Sequence, residues 1–321
     1  MADLVVVGSM ALDSVKTPFG AVERVVGGAA VYASAAASLL ARPGVVGVVG
    51  GDFPQEALDR LQERGADLTG VQRVSHGRSF FWSGVYDYSM SERQTLVTEL
   101  NVFADFDPKL PESYRDSRYC FLANIQPQVQ LAVLEQLQRA CFVMCDTMNL
   151  WIETERAALA EVLARADLAL LNDSEVRQLA GTPNLAQAAQ RVLDMGPRFV
   201  VIKKGEYGAA LVSHDDYFSI PSYPLPNVVD PTGAGDSFAG GMIGLLARQD
   251  DCCNRELRRA VAFGTVIASA CVEGFSLDGL WRLDHAELCR RYDALRDIVR
   301  FEAMEWAEFG APEEAPGRRK D

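Results

Sequence analysis

The sequence predicts an α/β fold in three layers, α/β/α, with a mainly parallel central sheet and a small β-strand lid. Three observations carry this. Short runs such as 4–8, 45–49 and 142–146 are apolar throughout, which marks strands buried on both faces. These runs alternate with longer stretches of helical pattern, as in parallel strands joined by helices. Two stretches, 14–26 and 78–106, lack a helical pattern, and the second is rich in aromatic and β-branched residues.

In chain order, a strand is expected at 4–8, an Ala-rich helix at 29–42, a strand at 45–49 and a helix at 54–64. A strand at 119–123, a helix at 127–139, a strand at 142–146, a helix at 153–165 and a strand at 168–172 follow. Two short helices precede a strand at 199–203, and the pattern from residue 234 onward is mainly helical. The stretches 14–26 and 78–106 read as lid strands, either a flap over a site or an edge extension of the main sheet. Residues 1–309 are expected to form one domain, and the polar, Pro/Gly-rich segment 310–321 a disordered tail.

Composition narrows the function. The chain has 321 residues, 49% hydrophobic and 23% charged, which is ordinary for a globular protein. A net charge of −13 opposes nucleic-acid backbones and anionic membrane surfaces. Neither is expected as a partner. A small anion held by a few N–H groups is still compatible with that charge. The seven cysteines lie mostly in apolar runs without Cys-x-x-Cys spacing. They read as free thiols of a reducing compartment, with no structural metal. The N-terminus has no basic region, and no apolar run reaches about 18 residues, so a cytoplasmic location is expected.

The chemistry concentrates in Asn227-Val-Val-Asp-Pro-Thr-Gly-Ala-Gly-Asp-Ser-Phe-Ala-Gly-Gly-Met242. An extended run ends at Asp230, and Thr232-Gly-Ala-Gly235 leads into a helix with small residues at 239, 240, 241 and 244. Glycines let an anion approach backbone N–H groups, and a helix start adds positive potential. Together they suit a phosphate. Asp236 stands at the mouth of this turn. It either caps the helix or takes a proton from a hydroxyl as phosphate arrives. Bare N–H groups around it should keep it ionised at neutral pH, a weak base of the kind phosphoryl transfer tolerates. The segment is neither a Walker A loop nor a dinucleotide fingerprint, because Phe238 stands where a third glycine is needed.

Asp230-Pro-Thr-Gly-Ala-Gly-Asp-Ser-Phe-Ala-Gly-Gly closely resembles the C-terminal signature of the ribokinase (PfkB) family of carbohydrate and nucleoside kinases. The resemblance implies a ribokinase-like fold. It also implies that Gly233, Ala234 and Gly235 form an anion hole and that Asp236 is the catalytic base. Further matches follow in the family's order. Gly8-Ser-Met-Ala-Leu-Asp13 resembles the first strand and its substrate-binding Asp. Gly27-Gly28 resembles the glycine pair that approaches sugar hydroxyls, and Val46-Gly-Val-Val-Gly-Gly-Asp52 resembles the second strand and turn. Asn172-Asp-Ser-Glu175 resembles the Asn-x-x-Glu motif that organises magnesium and phosphate, with Glu175 acting on Mg²⁺ through water. Each has a plain alternative. Asp13 can be a solvated turn residue, Gly27-Gly28 a tight turn, and Asn172 with Glu175 a capping box.

Lys203-Lys-Gly-Glu-Tyr-Gly208 resembles the family's nucleotide-side turn. Gly205 and Gly208 are expected at the nucleotide. Lys203 is either half of a solvated pair with Lys204 or a ligand to an ATP phosphate. Asp230 and Thr232 match positions that bind K⁺ in some members, although the partner loop near Val272-Glu-Gly-Phe-Ser276 departs from the pattern. Tyr32 replaces the family's Asn and is expected either at the substrate or packed on its helix. Asn149 faces phosphate or substrate, or is a loop residue. The segment 14–26 is short for this lid. The resemblance implies a Mg-ATP-dependent kinase acting on a hydroxyl of a sugar or polyol. The alternatives are a nucleoside kinase, whose base could stack on Tyr32 or Phe80-Phe-Trp82, and a catalytically silent relative. The protein is expected to be a monomer or homodimer.

Overall fold

A computed structural model describes residues 3–90 and 93–302. The expected tail at 310–321 lies outside the described residues. The chain begins with β1 (Leu4–Val7), β2 (Ala11–Thr17), β3 (Gly20–Gly27) and α1 (Ala29–Ala37). Next come β4 (Pro43–Gly50), α2 (Gln55–Glu63), β5 (Asp67–Val74), β6 (Phe80–Tyr86), β7 (Arg93–Glu99) and α3 (Glu112–Arg115). The middle holds β8 (Tyr119–Leu122), α4 (Pro127–Leu134), β9 (Phe142–Asp146), α5 (Asn149–Thr154), α6 (Arg156–Arg165) and β10 (Leu168–Asn172). Then follow α7 (Asp173–Ala180), α8 (Leu185–Leu193), β11 (Phe199–Lys203), β12 (Ala209–Val212) and β13 (Tyr217–Ile220). Four helices end the described chain: α9 (Ala234–Gln249), α10 (Asn254–Cys271), α11 (Asp278–Arg282) and α12 (His285–Ile298).

The main sheet runs β13-β12-β11-β10-β9-β8-β1-β4-β5, with β12 alone reversed, pairing antiparallel with β11 and β13. Alternate strand residues supply two separate cores. Leu4, Val6, Phe121 and Met144 pack with α1, α2 and α9–α12. Val5, Val7, Leu122 and Cys145 pack with the helices α3–α8. Apolar side chains are needed on both faces, which is why these strands read as unbroken apolar runs. The order reverses at β1, which has β4 on one side and β8 on the other. Ligands of such sheets bind beyond the carboxyl ends of the strands at that reversal.

Several boundaries differ from expectation. The strands β5 and β13 lie at the sheet edges with many exposed polar residues, and β12 is only four residues long. The strands β5 and β13 do not present the apolar run that revealed the others, whereas β12 is apolar and buried throughout and went unread. The helix expected at 29–42 stops at Ala37, and that expected at 127–139 stops at Leu134. The helix expected at 153–165 is interrupted at Glu155, where φ is −129°.

A second sheet, β3-β2-β6-β7, is the lid. It begins at Ala11 rather than 14, so Asp13 lies within a lid strand and is 5% exposed. The solvated-turn alternative for Asp13 is therefore excluded.

The small residues of α9 have a packing cause. A Cβ on Gly240 would stand 2.1 Å from the Ala33 carbonyl oxygen, and one on Gly244 would stand 3.0 Å from Ala37 Cα. Ala-rich α1 thus lies almost backbone to backbone on α9. The contact pairs advance together along both helices, so the helices run parallel and their N-termini share one end. The N-cap positions are Gly28 and Gly233.

Candidate active site

Asp236 occupies the first turn of α9, whose N-cap Gly233 has φ +77°. That left-handed conformation suits glycine. A Cβ at Gly233 would also meet the Tyr32 ring at 2.4 Å. Tyr32 is 2% exposed. Of the two places expected for Tyr32, at the substrate or packed on its helix, this burial fits the second. Its ring forms the floor under the anion turn because α1 and α9 lie so close.

Asp13 faces the other helix start. A Cβ on Gly27 would fall 1.9 Å from Asp13 Oδ2, so this glycine exists to admit the carboxylate. The N–H of Gly28 donates to Asp13. Gly28 itself has φ +99°, with Ser9 oxygen and Ala11 nitrogen within 2.7 Å of a would-be Cβ. Burial pushes Asp13 up to about 7, with Asp230 and Asp236 adding to the shift and Arg93 and the Gly28 N–H opposing it. The Asp236 carboxyl is also pushed up to about 7, by burial and then by Asp146, against Lys203 and Arg93. The expectation that helix-start N–H groups keep it freely ionised is corrected. Desolvation and a neighbouring carboxylate outweigh them. A base titrating near neutrality is better matched to proton abstraction than an ordinary aspartate.

Lys203 is not half of a solvated pair. Its Nζ bonds Asp146 Oδ2 at 2.7 Å, with the two side chains only 18% and 4% exposed. A Cβ on Gly235 would lie 3.4 Å from this Nζ, so the ammonium stands over the anion turn. Burial alone would lower the Lys203 pKa, but Asp146 and Glu175 together raise it. Lys204 points elsewhere, toward Ser219.

Asn172 and Glu175 form a complete capping box. Asn172 Oδ1 accepts from the Ser174 and Glu175 N–H groups, while Glu175 Oε2 accepts from Asn172 N at 2.7 Å. Glu175 is buried, and its carboxyl is pushed up to about 7 by burial, with Lys203 opposing and Asp146 adding. The cap and a place beside the phosphate site coexist. Gly205 (φ +54°) has nothing within 4 Å of a would-be Cβ, which leaves room for a nucleotide. A Cβ on Gly208 would strike the Ile220 oxygen at 2.0 Å, so that glycine serves the turn into β12. Asn149 is neither a loop residue nor free to face a ligand with its amide N–H: it opens α5 and donates that N–H to Gln178 on α7.

Asp230 is buried. Its Oδ1 accepts from Thr232 N at 2.9 Å, and among the described residues its Oδ2 has no hydrogen-bond partner. Burial raises its pKa. An orphan buried carboxylate oxygen fits a cation. Among the described residues, no group of three or more His, Cys, Asp and Glu side chains is arranged to hold a metal ion.

Two lid residues went unread in the sequence. Arg93 on β7 acts electrostatically on Asp13, Glu175 and Asp236 together. The Tyr86 hydroxyl bonds Thr232 Oγ1 at 3.2 Å, tying the lid to the signature segment. An arginine on an edge strand carries no sequence signal for this. The aromatic run at 80–82 splits by face. Phe80 packs on Phe103 at 5.5 Å, and Phe81 lies under Arg24. Trp82 is paired in register with Asp13 and so shares its face, with Arg93 5.7 Å from its ring centre.

Among the described residues no helix is long and apolar enough to cross a membrane. The model of the pfkB carbohydrate kinase family matches residues 1–279. The cytidine kinase of Thermococcus kodakarensis is 30% identical over 269 residues, 81% of this chain and 95% of that protein. Among solved structures, Escherichia coli ribokinase II in complex with ATP and Mg²⁺ superposes with a TM-score of 0.74 at 19% identity, covering 92% of this chain and 100% of that one. The nucleoside kinase of Burkholderia thailandensis, in complex with inosine, gives 0.73 at 19% identity, covering 91% and 97%. The fold is thus ribokinase-like, and kinases of this kind use ATP with Mg²⁺. The chain belongs to the pfkB carbohydrate kinase family, as a phosphotransferase acting on a hydroxyl.

Proposed function

We propose that the protein transfers the γ-phosphoryl group of Mg-ATP to a sugar hydroxyl of a nucleoside. The observation that carries the nucleoside over a simple sugar or polyol is Trp82. Its indole lies on the same lid face as Asp13, stacked with Arg93 and anchored by Nε1 to Thr95 Oγ1 at 3.2 Å. A flat ring beside the carboxylate that binds sugar hydroxyls suits a base attached to that sugar. The similarity to a cytidine kinase over most of both chains supports the same choice.

Asp13, held in place by the Gly28 N–H, binds the sugar hydroxyls. Asp236 takes the proton of the acceptor hydroxyl as its oxygen bonds phosphorus and the bridge to ADP breaks. The N–H groups of Gly233, Gly235 and Asp236 and the Lys203 ammonium stabilise the charge on the phosphoryl oxygens, while the Ala234 N–H holds the turn by donating to the Pro231 carbonyl at 3.2 Å. Gly205 borders the nucleotide. Magnesium supplies further charge neutralisation when bound, with Glu175 reaching it through water. Asp230 Oδ2, beside Thr232, would hold K⁺. The lid excludes water and so limits ATP hydrolysis.

ADP release would be measured with a panel of nucleosides, sugars and polyols, with and without K⁺, beside Asp236→Asn and Trp82→Ala. Base stacking is worth about 1–3 kcal/mol, so Trp82→Ala should raise KM for a nucleoside roughly 5- to 100-fold. Turnover of sugars or polyols alone would refute the nucleoside acceptor. ATP binding without turnover on any acceptor would favour a silent relative.

A further inference from the structure

Asp146 is held more firmly than a chance neighbour of Lys203 would be. It ends β9, two strands from Lys203 at the end of β11. Its Oδ1 accepts from Thr147 N at 2.8 Å, leaving Oδ2 for Lys203. Buried Gln130 donates to the Asp146 carbonyl at 3.0 Å and to that of Ala123 at 3.0 Å, pinning the strand end beneath it. The carboxylate is therefore a fixed point.

Lys203 needs such a point. Its stem has four rotatable carbons, and its ammonium feels Glu175 and Asp236 as well as Asp146. An ammonium drawn onto Asp236 would occupy the base. Paired with Asp146, it spends one of its three N–H donors, and two remain for the space over Gly235. A Cβ on Gly235 would touch the ammonium at 3.4 Å, so only a glycine there leaves the space beneath it free.

We infer that Asp146 is a positioning residue, which aims the Lys203 ammonium at the terminal phosphate of the nucleotide and keeps it off Asp236. The inference rests on the Gly233–Asp236 turn as the transfer centre, but not on which hydroxyl is the acceptor.

The test compares wild type with Asp146→Asn, Lys203→Met, the double variant and Asp236→Asn, each first shown to be folded at the assay temperature by a single cooperative thermal unfolding transition. Calorimetry would measure binding of Mg-ADP and of Mg-AMPPCP, a non-hydrolysable triphosphate. Hydrogen bonds to charged groups imply effects of about 10-fold or more. Asp146→Asn should weaken Mg-AMPPCP roughly 10-fold and Mg-ADP less than about 3-fold. Lys203→Met should do at least as much, and the double variant should be no worse than Lys203→Met. General loosening of the strand ends would weaken both ligands alike. Equal losses for both ligands, no loss, or additive losses in the double variant would overturn the role of Asp146. Undiminished turnover in Asp236→Asn would instead refute the transfer centre itself, and with it this inference.

Discussion

Replacing Asp236 with Asn should remove activity and stabilise the protein at the same time. The carboxyl is raised from its ordinary 3.8 to about 7. The folded state therefore holds this proton more tightly than the unfolded chain. Stability falls as pH rises from about 4 to about 7 and is flat above, where the whole cost of the ionised form is present. A shift of that size is worth at most about 4 kcal/mol. The side chain is partly exposed, so solvent screening reduces this, and we expect about 1–3 kcal/mol. Asn carries no charge and recovers that amount at pH 8, raising Tm by roughly 2–6 °C. At pH 5 a smaller gain should remain, because part of the wild-type cost appears only above that pH. Thermal unfolding of the ligand-free protein at both pH values, followed by circular dichroism, would measure it. An unchanged or lower Tm at pH 8, or equal gains at pH 8 and pH 5, would refute the electrostatic account. In the same variant turnover should fall about 10²- to 10⁴-fold.

Other outcomes follow from the same geometry. For the wild type, kcat/KM should rise with pH through about 7, because the base must be ionised, and a pH–rate profile would show it. Arg93→Ala removes a charge that lowers both Asp13 and Asp236, so that profile should shift to higher pH. Gly233→Ala and Gly235→Ala should separate stability from activity. The first forces a Cβ into the Tyr32 ring at φ +77° and should lower stability by more than about 1 kcal/mol in denaturant unfolding. The second sits in helical backbone clear of other atoms by 3.4 Å. It should leave stability intact or improved by up to about 1 kcal/mol, yet reduce turnover about 10-fold or more by filling the phosphate space. Asp230→Asn should abolish any K⁺ stimulation in the turnover assay, since it removes the charge on the unpartnered Oδ2.

Locally encoded features were legible from residue order alone. The central strands announced themselves because each must be apolar on both faces, as Leu4 to Val7 are. The turn from Gly233 to Asp236 was legible because a helix start that admits an anion needs glycine at that spacing. The capping box at Asn172 and Glu175 spans three residues and could be read directly. The edge strands β5 and β13 could not, since solvent on one side relaxes the demand for apolar residues.

Tertiary structure decided everything that depends on residues meeting across the chain. Residue order left Lys203 open between an exposed pair and a phosphate ligand, until β9 brought Asp146 to within 2.7 Å. It left Tyr32 open between substrate and packing, until the glycines of α9 let α1 approach and its ring lie beneath Gly233. Arg93 and Tyr86 gained their places only when the lid strands folded over the two helix starts. The pKa values near 7 at Asp13 and Asp236 arise from burial and from charges contributed by distant segments. Residue order sets which groups can bond, pack or turn with their neighbours in the chain. Desolvation and through-space charge depend on distances that only the packed fold creates.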